Sequence, residues 1–172
     1  RYGLVVEGGD ATSGTLESLR GKRVISMGSM FVWIPRFTYK NNGSGNVSIY
    51  FSNGVTDYRS NYYEPCPAFY YGSYLGGDPA NTTNYVDRNG INNELSGIWV
   101  GKFMASLDGT HANVKPDKTP YTSDINTVFT PAKGMTSDAT YGMKSAATTH
   151  MMKASEWAAV EYLTAAAGEI PY

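Results

Sequence analysis

Asp87, Asn89, Asn92 and Glu94 set four oxygen donors within eight residues, in the stretch Asp87-Arg-Asn-Gly-Ile-Asn-Asn-Glu94. Hard cations such as calcium are held by oxygen donors of this kind, so these four are the candidate calcium ligands. The stretch is not an EF-hand loop, because its glycine stands fourth instead of sixth. Clusters of Asx and glycine also build ordinary turns. A second candidate surface is aromatic. Tyr62, Tyr63, Tyr70, Tyr71, Tyr74 and Tyr85 crowd one irregular stretch, and tyrosine offers much contact area at little entropic loss.

Other chemistries fail on residue type or spacing. Nucleophilic catalysis needs a nucleophile, a base and a group that orients the base. The chain holds two histidines, His111 and His150, one cysteine, Cys66, and no Gly-x-Ser-x-Gly elbow. Cys66 lies between Pro65 and Pro67, a setting that suits a buried, inert thiol. A structural zinc site wants four Cys/His ligands at short spacings, whereas these three candidates spread over 85 residues. Gly14 to Gly21-Lys22 has the outline of a phosphate loop, but six residues separate the glycines and Arg23 replaces the required hydroxyl residue.

The elements that must position these residues read as follows. Leu4-Val5-Val6 and a short helix at 15–20, closed by Gly21, form a lead-in or attachment segment over residues 1–30. Ile34, Phe37 and Tyr39 alternate with Arg36, Thr38 and Lys40, with Pro35 marking an edge or bulge. Asn41–Asn46 is a turn, and Val47, Ile49 and Phe51 alternate again, which predicts a β-hairpin. Residues 57–95 are irregular, and a loop this long is often functional. A strand is expected over 98–105 and a short helix over 124–129, broken at Pro131. The clearest helix spans 155–167, where Trp157, Val160, Leu163 and Ala167 recur at helical spacing before Gly168.

Composition narrows the function classes. A chain of 172 residues fits one domain with a single core. Net charge is −1, which gives no electrostatic case for nucleic acid or anionic membrane as partner. Charged residues make up 17%, against about a quarter in ordinary domains, so the surface is polar but largely neutral. One cysteine allows no internal disulfide, and no run of about 18 apolar residues offers a membrane span. The start at Arg1 points to a removed leader or to a piece of something longer.

Three segments carry a resemblance. Met30-Phe-Val-Trp-Ile-Pro-Arg-Phe-Thr-Tyr39, Ser96-Gly-Ile-Trp-Val-Gly-Lys-Phe-Met-Ala-Ser106 and His150-Met-Met-Lys-Ala-Ser-Glu-Trp-Ala-Ala-Val-Glu-Tyr-Leu163 occur in that order. They resemble a series in C-type-lectin-like folds of the formylglycine-generating-enzyme type. There a strand reads roughly M-V-x-I-P, a second F-W-V-x-K-x-E-x-S, and a helix opens x-x-P-T-E-A-E-W-E-x-A-A. Pro67-Ala68-Phe69, Glu94–Ser106, Lys115-Pro116 and His150–Leu163 are similar to related surface and prophage proteins of Gram-positive bacteria. The resemblance covers the N-terminal half of that fold. Trp99 and Phe103 then read as core anchors on a strand, with Trp157 packing the helix against it and Glu156 suiting the helix dipole.

Two departures shape what it implies. The oxidase members use a reactive cysteine pair in their C-terminal half, and this chain has Cys66 alone, which removes that mechanism. The family also continues well past the helix, whereas this chain stops at Tyr172, so the domain is truncated or completed by other means. Glu64-Pro65 matches the start of the Glu-Pro-Asn sugar motif of calcium-dependent lectins, but Cys66 replaces the ligating asparagine.

The expectation is an α+β, C-type-lectin-like domain over 31–172, with a twisted antiparallel sheet, two short helices and long loops. It is non-enzymatic and has no cofactor unless calcium binds. It works as a structural or receptor-binding part of a phage virion, a tail fibre or surface decoration at the virion surface or outside the cell. Its partners are itself as a homo-oligomer, other virion proteins, and a host cell-surface glycan or protein. It neither binds nucleic acid nor inserts in a membrane. The alternatives are a subunit of a bacterial extracellular filament or adhesin, with Leu4–Val6 adding to a neighbour's sheet, and an enzyme acting on glycan or peptide.

Overall fold

Alternating burial is clearest in one strand. In the computed structural model, β3 (Ser29–Pro35) buries Ser29, Phe31 and Trp33 while Met30 and Val32 are only partly covered, the period of two that a pleated strand imposes. The structure describes residues 3–8, 23–26, 28–53, 63–69, 95–122, 124–138 and 147–168. The chain divides into two compact units, Arg1–Ile34 with Gly97–Met152 and Pro35–Ser96 with Lys153–Tyr172. The architecture is mixed α+β, with antiparallel sheets and two helices among the described residues.

The first unit holds β1 (Leu4–Gly8), β2 (Arg23–Ser26), β3 and β7 (Gly97–Gly101). With β10 (Ala147–Met151) they form a five-stranded sheet in the order β10-β1-β7-β3-β2. β1 runs antiparallel to β10, with Leu4 opposite Met151, and antiparallel to β7, with Val6 opposite Trp99. Leu4–Val6, expected to add to a neighbour's sheet, thus has both of its edges occupied within its own chain. A separate hairpin joins β8 (Ser106–Asp108) to β9 (His111–Asn113).

Helix α1 (Ile125–Gly134) starts where the Asp124 carboxylate accepts a hydrogen bond from the Asn126 N–H at 3.1 Å. The sequence predicts a break at Pro131; the helix instead runs through it to Gly134. Proline removes one backbone donor, but Val128, Ala132 and Met135 recur at four- and three-residue spacing and are buried with Leu4, Phe31, Ala105, Ala112 and Val114. Burial of that stripe outweighs the single lost bond. The strand expected over 98–105 ends at Gly101, and the chain bends so that Ala105 enters this core while Phe103 stays half-buried off the strand. Gly97 allows the tightest approach. A Cβ there would sit 2.4 Å from Trp33 Cζ2 and 2.5 Å from the Ile34 carbonyl oxygen.

The second unit holds β4 (Phe37–Asn41), β5 (Val47–Phe51) and β6 (Glu64–Pro65) in the order β5-β4-β6. The expected hairpin is present, with Phe37 opposite Phe51 and Asn41 opposite Val47. Pro35 ends β3, and pairing resumes at Phe37. A single 3-10 turn, Pro67–Phe69, buries Ala68 and Phe69, and Phe69 meets Phe37 edge to face at 5.3 Å. Helix α2 (Ala154–Ala166) packs against β5 and this turn. It ends two residues before Gly168, whose φ of 80° a side chain would resist.

One expectation about α2 is corrected. Trp157 does not anchor the helix: it is 47% exposed, and the buried side chains are Glu156 and Ala159. The helix turns Glu156 and Ala159 inward in place of Trp157. Glu156 accepts a hydrogen bond from the Lys153 N–H at 2.6 Å and pairs with Lys153 Nζ at 3.2 Å, so it caps its own helix. The helix expected at 15–20 lies outside the described residues.

Candidate functional site

Four of the described tyrosines, Tyr39, Tyr50, Tyr63 and Tyr162, meet at the three-stranded sheet, while Tyr121 packs against the core of the first unit. Strand alternation sends Phe37, Tyr39 and Asn41 to one face of β4 and Thr38 and Lys40 to the other. On the first face Tyr39 stacks on Tyr162 of α2, ring centroids 4.3 Å apart and planes at 21°. The Tyr39 hydroxyl also donates to Glu64 Oε2 at 3.3 Å, across the β4–β6 pair in which the two residues stand opposite. Burial, followed by the neighbouring Tyr162 and Glu64, pushes the Tyr39 phenol well above the ordinary tyrosine value. This tyrosine stays protonated, and its role is that of a fixed donor to the carboxylate.

On the second face Tyr50 meets Tyr63 edge to face, with centroids 6.5 Å apart. Tyr50 is half exposed. Ser48 lies on the same face, and its hydroxyl accepts from Asn42 Nδ2 at 2.8 Å. Rings with accessible faces beside hydroxyl and amide groups suit a polar, neutral partner.

Arg36 organises the base of this region. It is buried, contrary to the outward position its alternation with Phe37 predicts. Its Nη1 donates to the carbonyls of Phe69 at 3.4 Å and Leu95 at 3.3 Å. Its own N–H donates to the Ser96 carbonyl at 2.9 Å, and its carbonyl accepts from the Ser52 N–H at 3.0 Å. Leu95 N–H donates to the Phe69 carbonyl at 2.7 Å, so Phe69 and Leu95 meet at the guanidinium. Carbonyl oxygens replace water around the charge, which is what allows it inside.

Of the residues singled out from sequence, Tyr63 is placed on this sheet. Tyr62, Tyr70, Tyr71, Tyr74 and Tyr85 lie outside the described residues, as do Asp87, Asn89, Asn92 and Glu94. Among the described residues no group of three or more His, Cys, Asp or Glu side chains is arranged to hold a metal ion. Cys66 is buried, as its prolines suggested. His111 Nε2 pairs with Asp138 Oδ2 at 3.1 Å near the surface, tying β9 to the chain after α1. Sequence reasoning missed Tyr39, Tyr50, Tyr162 and Arg36. The alternation of Tyr39 and Tyr50 in the hairpin was the available signal; nothing local distinguishes Arg36 from a surface arginine.

No family model, curated protein or solved structure matches this chain.

The three segments fall on β3 and β4, which lie in different sheets, on β7, and on the end of β10 followed by α2.

Proposed function

We propose that the chain is a non-enzymatic C-type-lectin-like display domain that binds a host-surface glycan or protein through neutral aromatic groups, as part of a phage virion. The observation that carries this reading is the collection of tyrosines on one small sheet. Tyr39 with Tyr162, and Tyr50 with Tyr63, lie on the two faces of β5-β4-β6. The described residues that flank the tyrosine-bearing stretches 54–62 and 70–94, namely Asn53, Tyr63, Phe69 and Leu95, belong to the same unit as this sheet. The low charge of the chain supports a neutral contact surface, and copies in a homo-oligomer supply avidity to weak single sites. The filament alternative loses its expected route, since Leu4–Val6 is an internal strand.

The test is co-sedimentation of the purified chain with insoluble bacterial cell-wall sacculi, with native mass measured in parallel. The wild type is expected to pellet, and a variant with Tyr50, Tyr63, Tyr70 and Tyr71 changed to Ser to remain in the supernatant. Equal pelleting of both sinks the aromatic surface. Release of soluble fragments from the sacculi sinks the non-enzymatic reading, and an open-ended mass distribution favours the filament subunit.

A further inference from the structure

We propose that Tyr39 and Tyr162 form a site of oxidative cross-linking, where a peroxide-driven one-electron oxidant joins the two rings into an intramolecular dityrosine. The proposal goes beyond the binding role above and does not depend on it. The site lies wholly within the second unit and consists of two phenols and the Glu64 carboxylate.

Geometry separates this pair from the other aromatic pair of the sheet. Tyr39 and Tyr162 are both half-buried and nearly parallel, with planes at 21° and centroids 4.3 Å apart. The Tyr162 hydroxyl also interacts with the Tyr39 hydroxyl, so both hydroxyls share one end of the stack. The ring carbons beside the hydroxyls are thereby brought together, and these carbons carry much of the unpaired electron in a phenoxyl radical. Tyr50 and Tyr63 meet edge to face, at 79° and 6.5 Å, which gives their rings no such overlap.

Glu64 supplies a place for the proton. Burial, together with Tyr162 and Glu64, keeps the Tyr39 phenol protonated, so its proton must leave with the electron. The hydroxyl already donates to Glu64 Oε2 at 3.3 Å, and that carboxylate takes the proton as a base. Each tyrosine loses one electron and its hydroxyl proton. The two radicals couple through a new C–C bond between ortho carbons. The hydrogen on each of those carbons then moves through solvent to the ring oxygen, which restores both phenols. The net loss is two hydrogens; with hydrogen peroxide as oxidant, its O–O bond breaks and two waters form. The new bond ties β4 to α2 and closes a long loop, a constraint on the unfolded chain of the kind a disulfide gives. A single cysteine leaves this chain no internal disulfide of its own.

The test is photo-oxidation of the full chain with ruthenium tris-bipyridine and persulfate, which takes up the electrons and becomes sulfate. Product that keeps the mass of one chain is digested, and its cross-linked peptides are mapped by mass spectrometry. The peptide pair holding Tyr39 and Tyr162, two hydrogens lighter than its parts, should exceed the Tyr50–Tyr63 pair by about tenfold. That excess should vanish when the chain is oxidised in urea. Glu64→Gln should slow formation of the Tyr39–Tyr162 pair by about tenfold. Parity of the two pairs in the native chain overturns the site, as does an equal Tyr39–Tyr162 yield in urea. An unchanged rate in Glu64→Gln overturns the role given to the carboxylate. The wild-type map decides the cross-link even if the variant fails to fold.

Discussion

The unit of residues 1–34 and 97–152 and the unit of residues 35–96 and 153–172 solve burial differently. The first packs aliphatic chains around Phe31, and its buried polar side chains, Ser29, Ser106, Asn113 and Thr149, are all neutral. The second buries the two charged groups found inside among the described residues, Arg36 and Glu156, beside Phe37 and Phe69. Apolar burial is non-directional and scales with area, whereas a buried charge holds only where partners meet it at defined positions. The first unit therefore behaves as a scaffold that tolerates exchange of like for like. The second fixes where Phe69, Leu95, Ser96 and Ser52 meet Arg36. The first unit is not free of polar tension. Trp33 Nε1 and Asn113 Nδ2 are buried without a hydrogen-bond partner, each at a loss of about 1–3 kcal/mol.

Substitutions can break or sharpen this contrast. The largest effect is expected from Phe31→Ala, which empties the centre of the aliphatic cluster and should destabilise the chain by about 4 kcal/mol in chemical denaturation. Next is Gly97→Ala. The new methyl meets Trp33 and the Ile34 carbonyl, and a loss of about 3 kcal/mol should appear as a lowered Tm.

A matched pair then compares the two kinds of buried polar group. Glu156→Ala removes the acceptor for Lys153 N–H and should lose about 2 kcal/mol. Thr149→Val removes a neutral contact to Thr136 Oγ1 at 3.0 Å and should lose about 1 kcal/mol. Equal losses for these two would dissolve the distinction between the units.

Smaller effects follow on the surface of the second unit. Because the Tyr39 phenol is raised, the folded chain keeps a proton that the unfolded chain releases. The associated stability is whole below about pH 10 and falls as pH rises beyond it. Absorbance titration of the phenolates should show one late-ionising tyrosine that disappears in Tyr39→Phe. The smallest change is Trp157→Phe, at under about 0.5 kcal/mol, because the ring is largely in solvent. That variant leaves Trp33 and Trp99, whose rings lie 5.1 Å apart in the first unit, as the only tryptophans. Its fluorescence then follows the first unit alone and should register Phe31→Ala but not Glu156→Ala.

How much of this was legible in the sequence depended on the range of the interactions. The β4–β5 hairpin followed from alternation and the Asn/Gly turn between its strands. Helix α2 came within one residue of its expected limits, because helical spacing and Gly168 act locally. The α+β class was visible for the same reason. Of the candidate site, the sequence found Tyr63 but passed over Tyr39 and Tyr50, because a tyrosine in a strand shows its period and not its companions. The stacking of Tyr39 on Tyr162 joins residues from a strand and a distant helix. Helix α1 was cut short at Pro131 because proline's local preference was weighed without the core that Ala132 and Met135 enter. Helical spacing and ring size predict Trp157 inside, whereas Glu156 and Ala159 occupy the inward face of α2.

The amino-acid sequence by itself determined the elements: period-two strands, period-3.6 helices, the glycine stops and the proline-flanked buried thiol, all set by neighbours within a few residues. Tertiary structure alone decided which charges go inside and which segments meet. It put β1 between β7 and β10, and it buried Arg36 against carbonyls 33 and 59 residues along the chain. Those outcomes depend on desolvation and hydrogen bonding among groups distant in sequence, and a local pattern carries no record of them.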